Sequence, residues 1–151
     1  MKRIKDDIFG NMEYDCSWVK KEQISLFGKS YEVRIVAKAY TGQEVSDTQR
    51  ASYTCYQKNF QLYIEQIPNI LLTYYLDNYN QIAEYVDIPE KINRKNITEE
   101  LIVKLIKVQT VYFDRKGNFG WLCDCAWDRE HGISIILSAD KPIVTEQEEL
   151  I

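Results

Sequence analysis

The segment Ser46-Asp47-Thr48-Gln49-Arg50-Ala51-Ser52-Tyr53-Thr54-Cys55-Tyr56-Gln57-Lys58-Asn59-Phe60-Gln61-Leu62-Tyr63-Ile64-Glu65-Gln66-Ile67 stands between two stretches of different rhythm. Ser46 and Gln49 are spaced to close a capping box, so a helix is expected to open here. Tyr53, Tyr56, Phe60, Tyr63, Ile64 and Ile67 recur every three or four residues and form one apolar stripe. The plain reading of that stripe is core packing against a sheet. Pro68 has no N–H and crowds the preceding turn, so it is expected to end or kink the helix. A second helix is predicted from Asn69 to about Val86, with Leu71, Tyr74, Tyr75, Ile82 and Tyr85 on one side and Pro89 as its stop.

Before Ser46 the period is two. Tyr31, Val33, Ile35, Ala37 and Ala39 alternate with Glu32, Arg34 and Lys38, as in a strand with one buried and one wetter face. Glu22 to Phe27 and Tyr31 to Tyr40 flank Gly28-Lys29-Ser30, where glycine at the first loop position suits a primed hairpin turn. Ile8 to Tyr14 is a further short strand.

After the helices the strands return. Asn96 and Glu99 suggest a cap for a short helix from Ile97 or Thr98 to about Lys104. Lys107 to Phe113, Phe119 to Trp127 and Gly132 to Ser138 read as strands, the last of them central, with a turn over Asp114-Arg115-Lys116-Gly117-Asn118. Thr145 to Ile151, acidic and terminal, reads as loosely held. Strands first, helices in the middle and strands last predict an α+β fold. Two to three helices would pack on one face of a mostly antiparallel sheet, in a single domain over residues 1–151.

A compact chain of 151 residues buries about 70% of its unfolded surface, enough for a core without staples. Its 45% hydrophobic and 28% charged content is that of a globular protein. The 11 tyrosines suit half-buried positions and binding surfaces. With 23 acids against 19 bases the net charge is −4. The bases are scattered, Lys91, Arg94 and Lys95 being the densest group. This argues against a nucleic-acid ligand and favours a basic protein partner. No apolar run follows the charged N-terminus, so no secretory signal is read, and no apolar run is long enough for a membrane span. Cys16, Cys55, Cys123 and Cys125 form no paired framework, which points to free thiols in a reducing cytoplasm.

The densest chemistry lies in Phe119-Gly120-Trp121-Leu122-Cys123-Asp124-Cys125-Ala126-Trp127-Asp128-Arg129-Glu130-His131-Gly132. It holds two of the three tryptophans, two of the four cysteines and the only histidine. Period-two sorting sends Phe119, Trp121, Cys123, Cys125 and Trp127 one way, and Gly120, Leu122, Asp124, Ala126 and Asp128 the other. The first reading is a specified turn. Asp128 would accept backbone N–H bonds, Gly132 would take a positive φ, and His131 would donate to a carboxylate or carbonyl. The second is a metal site drawn from Cys123, Cys125, Asp128, Glu130 and His131, although the spacing matches neither a paired C-x-x-C cluster nor an H-E-x-x-H helix. The third is catalysis by a Cys125–His131 pair or by carboxylates around His131. No P-loop, G-x-G-x-x-G or G-x-S-x-G motif is present, no catalytic residue is assigned, and no cofactor is called for.

The run Gly117 to Gly132 resembles the C-terminal signature of small bacterial domains of unknown function, G-x-x-G-x-L-x-D-x-x-W-D-x-E-H-G. Phe9-Gly10-Asn11-Met12, Trp18, Leu26-Phe27-Gly28-Lys29 and Gln49-Arg50-Ala51 are similar to other parts of the same pattern. The resemblance spans most of the chain and implies a cytoplasmic protein. Some relatives resemble immunity proteins of polymorphic toxin systems, which block a toxin by binding it. On that resemblance Trp127, Asp128, Glu130, His131 and Gly132, with Asp124, are the signature positions. The expected function is a cytoplasmic protein-binding module whose partner is a protein toxin. The rival expectation is a metal- or thiol-dependent enzyme in the Cys123–His131 segment, centred on Cys125, Asp128, Glu130 and His131.

Overall fold

A computed structural model of the chain describes residues 2–147 and 150–151. It has eight strands, β1 (Arg3–Asp6), β2 (Gly10–Tyr14), β3 (Trp18–Leu26), β4 (Lys29–Ala37), β5 (Ile106–Phe113), β6 (Phe119–Cys125), β7 (Ile133–Ile136) and β8 (Ile143–Glu146). Between β4 and β5 lie α1 (Asp47–Asp77), α2 (Tyr79–Tyr85) and α3 (Glu99–Ile102), with single 3₁₀ turns at Glu90–Ile92 and Val103–Leu105. The expected α+β class and the order of strands, helices and strands are present. Strand order in the sheet follows chain order. Every neighbouring pair is antiparallel except β4 and β5, which run parallel with Arg34 beside Thr110 and Ala37 beside Phe113. The sheet is therefore two four-stranded meanders, joined along a parallel seam by the helical crossover. Among the described residues no helix is long and apolar enough to cross a membrane.

The helix N-terminus forms as its sequence dictates. Ser46 Oγ accepts from Gln49 N at 3.1 Å, and Gln49 Oε1 accepts from Ser46 N at 3.0 Å. Gln49 is fully buried and does more. Its Nε2 donates to Lys38 O at 2.8 Å and Phe113 O at 3.2 Å, tying the helix to the ends of both seam strands. The stripe of α1 lies on the sheet, with Tyr53, Tyr56, Tyr63, Ile67, Leu71 and Tyr75 all buried. Phe9, Tyr53, Tyr56, Phe113 and Phe119 make a connected group of rings. Trp121 Nε1 donates to Tyr56 Oη at 3.0 Å within it, so neither polar tip is buried unpaired.

Several boundaries differ from expectation. α1 continues past Pro68 and ends at Asp77, with Asn78 separating it from the short α2. Pro68 forfeits a hydrogen bond, but Ile67 and Leu71 on either side are wholly buried, and that burial outweighs the lost bond. The break at Asn78 re-aims the last turn, so Tyr85 is 85% exposed and does not share the buried side of Leu71, Tyr75 and Ile82. In the β3–β4 hairpin the two loop residues are Phe27 and Gly28, both at positive φ (50° and 81°), as a type I′ turn requires. Glycine holds the second loop position, not the first, and the strands extend closer to the turn than the alternation shows. Thr98 caps α3, its side chain accepting from Leu101 N; Asn96 does not.

At the C-terminus the expected loose tail is partly built in. Thr145 and Glu146 belong to β8, and Leu150 is buried against Val36 and Tyr112 on the sheet face away from the helices. Glu148 and Glu149 lie outside the described residues. The last predicted strand is shorter, Ile133–Ile136, and it is not central but second from the edge of the sheet, with β8 pairing along its far side.

Candidate functional site

The signature segment begins inside β6. Phe119, Trp121, Cys123 and Cys125 face the core as the alternation predicts, at 4%, 0%, 0% and 2% exposure. Regular pairing stops at Cys125, so Trp127 and Asp128 belong to a loop and not to the predicted end of the strand. Asp124, on the exposed face of β6, accepts from Gln109 Nε2 at 2.6 Å. It does not share a strand face with Asp128.

The loop is closed from within. Ala126 N donates to Leu105 O at 2.8 Å, Asp128 N to Cys125 O at 3.2 Å, and Gly132 N to Asp128 O at 2.8 Å. Asp128 Oδ1 accepts from His131 N at 3.1 Å and meets His131 Nδ1 at 3.1 Å. With its hydrogen on Nδ1, the ring donates to the carboxylate in this contact. Gly132 has φ +68°, and a Cβ there would stand 2.4 Å from Cys123 O, so only glycine fits both the turn and the return into β7. Trp127 anchors the loop on the helical layer, its ring 5.1 Å from that of Tyr75, whose hydroxyl donates to Ile92 O at 2.8 Å. Gly120, earlier in the signature, is equally constrained, since a Cβ would come within 2.2 Å of Ile135 O.

Trp127, Asp128 and Gly132 thus shape the backbone, while Arg129, Glu130 and His131 are exposed. These three line a groove of about 470 Å³ that separates the loop from the end of α1 and from α2. Its far wall carries the half-buried Tyr74 and the exposed Tyr85. Tyr85 was legible only as one more apolar residue of a helix.

The thiols do not take part. Burial pushes the Cys123 thiol well above its ordinary value. Burial likewise raises Cys125 to about 12, against the opposing backbone N–H groups of Trp127 and Asp128. Both are therefore held protonated at neutral pH, the wrong state for a nucleophile. Among the described residues no three histidine, cysteine, aspartate or glutamate side chains converge as a metal site would require. The segment brings Asp128 and His131 together and keeps Cys123, Cys125 and Asp124 apart from them, on the core side and on the open sheet face.

Comparison with curated proteins and with solved structures finds no match. A family model matches residues 8–148, nearly the whole fold from the turn after β1 to the end of β8. The chain belongs to the family described as Domain of unknown function (DUF6985).

Proposed function

We propose that the chain is a cytoplasmic protein-binding module, acting as an immunity-type protein that holds a toxin in the groove between the Trp127–Gly132 loop and α2. The observation that carries this reading is Tyr85, 85% exposed on one lip of the groove, with Arg129, Glu130 and His131 on the other. Tyrosine and arginine are the residue types that most often dominate binding energy. The loop is held in one shape by the bonds converging on Asp128, so a partner meets a surface that needs little ordering. Glu130 and Glu146 give the groove an acidic edge that agrees with a net charge of −4 and suits a basic partner surface. The resemblance to immunity proteins supports the same class. The rival enzyme reading needs a thiolate or a metal cluster in this segment; burial of both thiols works against the first, and among the described residues no three ligating side chains converge for the second.

The test is titration calorimetry against the products of adjacent genes in the native host. Tyr85→Ala is expected to weaken a complex by about tenfold or more, the effect of an aromatic anchor. Tyr40→Ala, at a residue 67% exposed elsewhere, leaves it unchanged. Absence of a stable complex at any salt concentration, or indifference to Tyr85→Ala, would end the proposal.

A further inference from the structure

Arg129 lines a second concavity, of about 730 Å³, besides the signature groove. The parallel seam creates it. Because β4 and β5 run the same way, their first residues lie at one end of the sheet, and antiparallel β6 finishes at that end. Lys29 at the start of β4, Lys104 and Lys107 around the start of β5, and Arg129 beyond β6 therefore meet around one cleft. In the sequence these four cations look scattered.

The charge here is only partly compensated. Among the described residues, no ion pair includes any of the four. The cleft has one carboxylate, Asp124, directly across the ladder from Lys107, and it accepts from Gln109 instead. Lys107 Nζ stands 5.4 Å over the Tyr31 ring, and the Tyr31 hydroxyl accepts from Val108 N at 3.0 Å, which fixes that ring against the sheet. Half-buried Leu105 and Ile106 complete an apolar lining. In a chain of net charge −4, four cations around one cleft with a single carboxylate form a local field of opposite sign.

We infer that this cleft binds a carboxylate-rich segment of a protein partner. Three of the four cations are exposed lysines, mobile point charges without the fixed fork that grips one phosphate, so they suit carboxylates spread along a peptide. Tyr31, Leu105 and Ile106 offer an apolar surface for side chains between those carboxylates. The inference rests on the binding reading only in taking a protein as the partner. With Arg129 at the junction, a partner would meet an acidic groove on one side and a basic cleft on the other, and such a pattern fixes its orientation.

Fluorescence anisotropy with a labelled glutamate-rich peptide tests the cleft without any partner in hand. Saturable binding that weakens with added salt is expected, since exposed charge pairs are screened. Lys104→Glu combined with Lys107→Glu should reduce affinity by about tenfold or more, and Lys5→Glu on the exposed part of β1 should leave it unchanged. The double glutamine variant, checked by circular dichroism, separates lost charge from lost fold. No saturable binding, binding indifferent to the double substitution, or preference for an oligothymidylate or ATP over the peptide would overturn the inference. Peptide binding without any adjacent-gene complex would leave the cleft standing and remove the groove reading. A complex dependent on Tyr85 with no peptide binding would do the reverse.

Discussion

Asp128 Oδ1 receives two contacts from a single residue, the main-chain N–H and the ring Nδ1 of His131, each at 3.1 Å. The two are not equal in worth. The His131 side chain is 67% exposed, so its ring contact is screened and contributes little. The main-chain bond survives any change at position 131 other than proline, but not the loss of the carboxylate. His131→Ala is expected to cost less than about 1 kcal/mol. Asp128→Ala is expected to cost about 1–2 kcal/mol. Urea denaturation of both variants ranks them, and a larger loss for His131→Ala would show that the ring, not the carboxylate, organises the loop.

Gly120 and Gly132 face main-chain oxygens that cannot retreat, because Ile135 lies in a paired strand and Cys123 in its neighbour. Alanine at either position should destabilise by several kcal/mol, on the order of 3, since a strand must shift to admit a methyl group. Gly42→Ala is the contrast. Its φ of +87° is left-handed but the space around it is open, so only about 1 kcal/mol of backbone strain is expected. Thermal melts of the three variants should separate into two classes, and equal shifts would contradict the close contacts.

Asp6 couples stability to pH. Burial pushes its carboxyl up, but the Arg50 guanidinium and the N–H groups of Phe9 and Ile8 more than offset this and hold it below its ordinary 3.8. A carboxyl depressed in the folded state stabilises fully above the unfolded value, and that stability fades as pH falls through the folded value. The wild type should therefore lose stability on acidification below about pH 4 more steeply than Asp6→Asn. At pH 7 the variant should be weaker by about 1–3 kcal/mol, since it loses charge-assisted bonds to a buried carboxylate. Parallel acid-denaturation slopes for the two proteins would exclude this coupling.

Four free thiols divide by burial. Cys16 and Cys55 are exposed, Cys123 and Cys125 buried. Under native conditions a disulfide reagent should titrate the first pair quickly and reach the second only as the protein unfolds. Fast modification of Cys125 in the folded protein would reopen the thiol reading of the site.

Features that depend on near neighbours were legible in the sequence, and those that depend on distant ones were not. The Ser46–Gln49 box, the α1 stripe and the inward face of β6 follow from local spacing. Gln49's bonds to Lys38 and Phe113 do not, because Phe113 lies on the far side of the helical segment. β1 carries no signal in the sequence because its four residues, Arg3-Ile4-Lys5-Asp6, show little alternation, and pairing with β2 decides their state. The apolar alternation of β6 continues by coincidence into the loop and predicts strand at Trp127, which is instead buried against Tyr75 and not within a ladder. At the site, the roles of Asp128 and Gly132 were visible as turn chemistry. The groove wall at Tyr85 and the cleft shared by Lys29, Lys104, Lys107 and Arg129 arise only when separate segments meet.

The parallel seam also has a consequence for the growing chain. β4 emerges from the ribosome with one edge bare, and the strand that will cover it follows only after the entire helical segment has been made. During that interval the first meander offers open main-chain donors and acceptors, and a neighbouring nascent chain with the same bare edge is the nearest competitor for them. Arg34 and Glu32, alternating along that strand, put charge beside the bare edge through the wait.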